Sequence, residues 1–171
     1  RRSRPDVELI TQHLPILQIV VPLLAAPLCV ILRKPRLVWI LAVIVVWTCL
    51  AMAGGLMLQV LANGPISYHL GGWEPPWGIE YRVDAVNAFI LILVSLIGAV
   101  VLLYAPASLK AELPEARSSL FYTAYLLCFT GLMGMTITGD AFNVFVFLEI
   151  SSLSTYALIG MGTDRRALTA S

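Results

Sequence analysis

GDAFNVFVFLEISSLSTYALIG, Gly139 to Gly160, decides the fold. After Asp140 the run holds a single charge, Glu149, among residues that are otherwise uncharged and mostly apolar. About 20 such residues in a helix cross the roughly 30 Å of hydrocarbon in a bilayer. A helix starting near Phe142 rises about 1.5 Å per residue, which carries Glu149 roughly 10 Å into that layer. An acid at mid-membrane costs about 2.5–3.5 kcal/mol on insertion scales, so the residue must be protonated, paired or hydrated. Intramembrane acids of this kind mark proton or cation pathways by default. The alternative is a protonated carboxyl that only glues helices together.

The rest of the chain supports a membrane setting. Of 171 residues, 59% are hydrophobic and 12% charged, with a mean hydropathy of +0.87. Soluble domains usually carry about 25% charged and 45–50% apolar residues. The apolar excess collects in five runs long enough to span, at about residues 14–32, 37–61, 85–104, 120–138 and 142–161. The fold class expected is therefore an all-α polytopic membrane protein of about five transmembrane helices. Pro15, Pro22 and Pro27 predict a kinked first span, and Gly131 with Gly134 offers a small-residue patch for close packing in the fourth.

A net charge of +1 excludes the basic stripe of a nucleic-acid binder. Cys29, Cys49 and Cys128 all lie inside apolar runs and lack metal-ligand spacing, so no cofactor, metal or disulfide framework is expected. The chain begins at Arg1 and stops at Ser171 soon after a span, which suggests a fragment of a longer protein or half of a split one. A signal peptide is disfavoured, because no small-residue cleavage site follows the leading RRSRP.

Loop charges set the expected orientation. Arg33, Lys34, Arg36, Lys110, Arg117, Arg165 and Arg166 follow spans one, three and five. Only Arg82, with Arg1, Arg2 and Arg4 at the tip, lies on the other side. The bias places the N-terminus outside and Ser171 in the cytoplasm. In the longest outer loop, ISYHL (residues 66–70) and IEYRV (79–83) each alternate apolar with polar residues around GGWEPPWG. That pattern predicts a β-hairpin over 65–83, lying as a lid on the outer helix ends. Trp73 and Trp77 would suit the membrane interface.

Each remaining polar residue has two readings. Asp84 and Asp140 stand just before apolar spans, as helix caps or as part of an outer ion entrance. His13 and His69 fall at interfaces, where solvated histidines are the simpler reading. Ser151, Ser152, Ser154 and Thr155 form a hydroxyl-rich turn that either bonds back to carbonyls or solvates a proton path. Ser152 and Tyr156, three and seven residues beyond Glu149, lie near its azimuth on a helix. No Lys, Arg or His occurs near mid-depth in the other spans, so a countercharge for Glu149 would come from elsewhere.

Two stretches carry a resemblance: YHLGGWEPPWGIEYRVDAVNAFILILVSLIGAVVLLYA (68–105) and TGDAFNVFVFLEISSLSTYALIG (138–160). The first resembles the outer loop and third helix of the D subunit of the multisubunit monovalent cation/proton antiporter (Mrp). The second resembles its fifth helix, in a G-D-x-F-N-x-F-V-F-x-E pattern shared with the antiporter-like membrane subunits of respiratory complex I. Many relatives place an aromatic before the glutamate, where this chain has Leu148. The resemblance implies a long multi-helix antiporter-like bundle, of which these residues are the N-terminal part, with a periplasmic N-terminus and other membrane subunits as partners. It implies that Glu149 matches a glutamate paired with a lysine on a later broken helix. The activity implied is exchange of Na⁺ for protons in a bacterial or archaeal cell membrane, so a transport subunit is expected in preference to an enzyme. The runner-up is a proton-pumping arm of a complex I-like oxidoreductase or hydrogenase, and a third reading is a structural scaffold. No redox centre or nucleotide loop appears in the chain itself.

Overall fold

The computed structural model describes residues 12–32, 34–73, 77–114 and 117–162. Five long helices dominate: α1 (Leu14–Leu32), α2 (Pro35–Asn63), α3 (Ala85–Glu112), α4 (Ser118–Ile137) and α5 (Ala141–Gly160). All five are long and apolar enough to cross a membrane. A small antiparallel hairpin of β1 (Ile66–His69) and β2 (Glu80–Val83) joins α2 to α3.

The first and last helices match the expected spans to within a residue, while α2 and α3 run past theirs. Pro35 starts α2 at its first turn, where a missing N–H costs nothing. Helix α3 continues beyond Tyr104 through Pro106 to Glu112. Pro106 has no N–H for the Leu102 carbonyl four residues back. The Trp39 indole Nε1 of α2 donates to that carbonyl instead, at 2.9 Å. Helix α1 likewise stays a single α-helix through Pro22 and Pro27.

Helix α4 is the hub, packing on α1, α2, α3 and α5, whereas α5 packs chiefly on α4. Lipid tails are as apolar as leucine, so helices associate through close packing and hydrogen bonds. Both are visible here. A Cβ on Gly131 would stand 2.7 Å from the Phe147 carbonyl oxygen and from the Ser151 nitrogen, and one on Gly134 would overlap the Phe147 ring. The absence of those two methyls lets α5 lie directly against α4. Side-chain-to-carbonyl bonds tie the other pairs: Gln18 Nε2 to Cys49 (3.1 Å), Tyr125 Oη to Gly98 (2.8 Å) and Thr123 Oγ1 to Ala26 (3.2 Å). The Gln18 side chain is fully buried, and its Oε1 meets no donor among the described residues.

The hairpin pairs Ile66 with Val83, Ser67 with Arg82, Tyr68 with Tyr81 and His69 with Glu80. The alternation read in the sequence is realised over most of the paired strands, where Tyr81 and Val83 are buried while Ser67, His69 and Arg82 are exposed; Ile79, expected on the apolar face, precedes β2 and is exposed. Contacts from both strands dock the hairpin on the helix ends. Tyr81 bridges to Thr138, the Gly139 amide donates to the Glu80 carbonyl (2.9 Å), and His13 Nδ1 bonds the Tyr68 hydroxyl (2.9 Å). Burial against those ends pushes the Tyr81 phenol above its ordinary titration range. Trp73 and Trp77 stand exposed at this end of the bundle; Glu74, Pro75 and Pro76 of the turn lie outside the described residues.

Candidate functional site

Helix α5 has two faces. Asn143, Phe147, Ser151 and Ser154 are buried, on the side toward α4. At 100° per residue Glu149 lies on the opposite side, in one stripe with Phe142, Phe145, Leu153 and Tyr156. All five of those residues are exposed. Ala141 opens the helix, so Glu149 sits about 12 Å along it, far from either end. The arrangement sets a carboxyl in mid-helix, on the face that the other four helices leave uncovered.

The neighbouring hydroxyls divide. Ser152, half-buried, and Tyr156, exposed, share the Glu149 side of the helix. Thr155 turns toward α4, where its Oγ1 lies 3.4 Å from Cys128 Sγ and donates to the Ser151 carbonyl (2.8 Å). Ser154 donates to the Ile150 carbonyl at 2.6 Å. Both are back-bonds of the kind expected of hydroxyls in membrane helices. The structure therefore brings Ser152 and Tyr156 onto the glutamate's side and sets Thr155 in the α4–α5 contact.

Asp84 and Asp140 are N-caps. Asp84 accepts from the Asn87 amide at 2.8 Å, and Asn87 Oδ1 accepts in turn from the Asp84 amide, closing a capping box. Asp140 Oδ1 accepts from the Phe142 amide at 3.0 Å, and its Oδ2 accepts from Asn143 Nδ2 at 3.0 Å. Both acids stand at the hairpin end, and Asp140 lies about 13 Å before Glu149 along their shared helix.

Three residues not singled out in the sequence also hold this bundle. Asn87 Nδ2 donates to the Thr136 carbonyl in the last turn of α4 (2.6 Å), tying the start of α3 to the end of α4. Asn143 is buried and braces Asp140. Trp39 satisfies the Leu102 carbonyl. The last was signalled, since a proline inside a helix always frees the carbonyl four residues earlier.

No family model matches the chain. Individual proteins do. The N subunit of the NADH-quinone oxidoreductase of Desulforudis audaxviator is 39% identical over 163 residues, 94% of this chain and 32% of the relative. The D subunit of the Na⁺/H⁺ antiporter of Alkalihalophilus pseudofirmus is 34% identical over 113 residues, 66% of this chain and 22% of that one. Among solved structures, the Mrp complex from Dietzia sp. superposes with a TM-score of 0.82 at 26% identity over 94% of this chain and 30% of that one. The archaeal membrane-bound sulfane sulfur reductase gives 0.83 at 29% over 91% of this chain and 32% of that one. The chain spans less than a third of the length of these curated relatives. In sequence and in fold alike, it is related to the antiporter-like membrane subunits found both in Mrp-type cation/proton antiporters and in complex I-like respiratory complexes.

Proposed function

We propose that this chain belongs to a membrane subunit that moves protons in exchange for a monovalent cation, Na⁺ by the resemblance, within a larger antiporter assembly. One observation carries the reading: Glu149 stands in mid-helix on the uncovered face of α5, with Ser152 and Tyr156 on the same side. A carboxyl facing lipid would cost a few kcal/mol. A carboxyl facing further helices, with a cation or water between them, is the working arrangement of a proton relay. The relatives are about three times as long as this chain, and this reading has further helices of such a protein cover that face. A lysine on a later broken helix, as the resemblance implies, supplies the countercharge. In this mechanism Glu149 gives up its proton when the cation is near and takes one up when apolar surroundings replace it. Ser152 and Tyr156 supply hydroxyls for the path. The excess of Lys and Arg after spans one, three and five supports a topology with the N-terminus and the hairpin outside and the Lys110 end in the cytoplasm.

The test is Na⁺-dependent collapse of a pH gradient in inverted vesicles holding the whole complex, comparing wild type with Glu149→Gln at equal assembly. The expected outcome is exchange in wild type and its loss in the variant. Equal exchange in both would sink the role of Glu149.

A second reading has its own support. The 39% identity to the N subunit of an oxidoreductase exceeds the 34% to the D subunit of an antiporter, over a longer alignment. On that reading the same helices pump protons while redox chemistry takes place in partner subunits. Wild-type vesicles would then show no exchange with any monovalent cation, and would acidify only when an electron donor and acceptor are supplied.

A further inference from the structure

At the end of the bundle away from the hairpin, a cleft of about 280 Å³ opens between the start of α2, the last turns of α3 and the start of α4. Arg36 and Lys110, both exposed, stand on its rim. Trp39, Ile40, Leu109 and Leu113 form its apolar walls, and among the described residues its lining contains no acidic side chain. The Trp39 ring is held in place by its bond to the Leu102 carbonyl.

The depth of this cleft is fixed by α3. That helix is capped at Asp84, and Lys110 lies 26 residues on, about 39 Å along the axis. The hydrocarbon layer is about 30 Å thick, and about 40–45 Å with the headgroup regions. With Asp84 at one interface, Lys110 and Leu109 reach the headgroup level of the other, and the Trp39 indole, bonded to Leu102 about 27 Å along the axis, lies just inside the hydrocarbon. The cleft is therefore cationic where phosphate groups lie and apolar where acyl chains begin.

We infer that this cleft binds an anionic phospholipid, its phosphate between Arg36 and Lys110 and the start of an acyl chain along Trp39, Ile40 and Leu109. Charge complementarity argues for an anionic headgroup, since a basic residue near a membrane surface contributes about 1 kcal/mol toward anionic lipid. The apolar walls argue for a lipid over free phosphate, which would gain nothing from them. Arginine adds a planar fork that matches phosphate oxygens. The site rests on the membrane-spanning fold alone and holds whether the complex is an antiporter or a respiratory pump.

The experiment is native mass spectrometry of the full complex, exchanged into nanodiscs of phosphatidylglycerol or phosphatidylcholine. Wild type should retain phosphatidylglycerol in preference to phosphatidylcholine. Neutralising one charge should lower retention about fivefold, and Arg36→Gln with Lys110→Gln about 25-fold. The charge-keeping pair Arg36→Lys with Lys110→Arg should hold the lipid, while Ile40→Trp, which fills the apolar half and leaves both charges, should lose it. Inorganic phosphate at millimolar concentration should displace nothing. The proposal fails if both lipids are held equally, if wild type retains neither, or if the neutralised pair retains lipid as wild type does. Displacement by inorganic phosphate would make this a free-anion site and overturn it as well. Unchanged retention in Ile40→Trp would show that the lipid sits elsewhere, and that result can overturn the proposal even if the charge variants fail to assemble.

Discussion

The methyl that Gly131 lacks would meet backbone, the Phe147 carbonyl and the Ser151 amide at 2.7 Å, and backbone of a neighbouring helix cannot rotate aside. Gly131→Ala should therefore push α5 off α4 and destabilise the bundle by about 1–3 kcal/mol. Gly54, where an added methyl would meet nothing within 4 Å, is the control, and Gly54→Ala should be neutral or better. Unfolding titrations in mixed micelles would separate the two. Glu149 presents the opposite situation on α5, a side chain with open space around it and a cost if that space were lipid. Residue type and position were enough to single it out. Helical period also put Ser152 and Tyr156 near its azimuth, but it did not fix which face of the helix α4 would cover; the packing turned Ser151 and Thr155 to α4 and left the glutamate's side open.

Helix α3 depends on a partner for its continuity. Trp39→Phe keeps an aromatic ring but removes the donor to the Leu102 carbonyl, and should cost about 0.6–1.7 kcal/mol, the range for interhelical bonds in membranes. Pro106→Ala restores an N–H at the right place, so the same Trp39→Phe change made in that background should cost much less. A double-mutant cycle on thermal stability of the purified complex checks this, and equal costs in both backgrounds would contradict it. The hairpin is a similar case. Its alternation was readable, because two short strands around a Gly/Pro turn have a period of 2. Its docking on Thr138, Gly139 and His13 joins residues more than 50 positions apart, and no local pattern encodes that.

Across the molecule, the helices put the hairpin at one end and Arg36 and Lys110 at the other. Loop charge predicts which end faces the cytoplasm. Ser67→Cys, on the exposed side of the hairpin, should react with a membrane-impermeant thiol reagent in intact cells, and Lys110→Cys only after the cells are opened. The reverse pattern would invert the proposed topology and with it the direction of transport. Cys29 and Cys49 are buried in spans and give little background.

Five spans, their order and the hairpin's polarity were legible in the chain because hydrocarbon thickness and backbone period act locally, on runs of about 20 residues or about five. The single acid in the last span was equally plain, since no other span carries a charge near its middle. Which helix became the hub, which face of α5 stayed uncovered, and which donor reached the Leu102 carbonyl depended on contacts between distant segments. Those contacts follow from shape, from where two glycines permit approach and where a tryptophan stands opposite a proline, and shape exists only once the helices have packed.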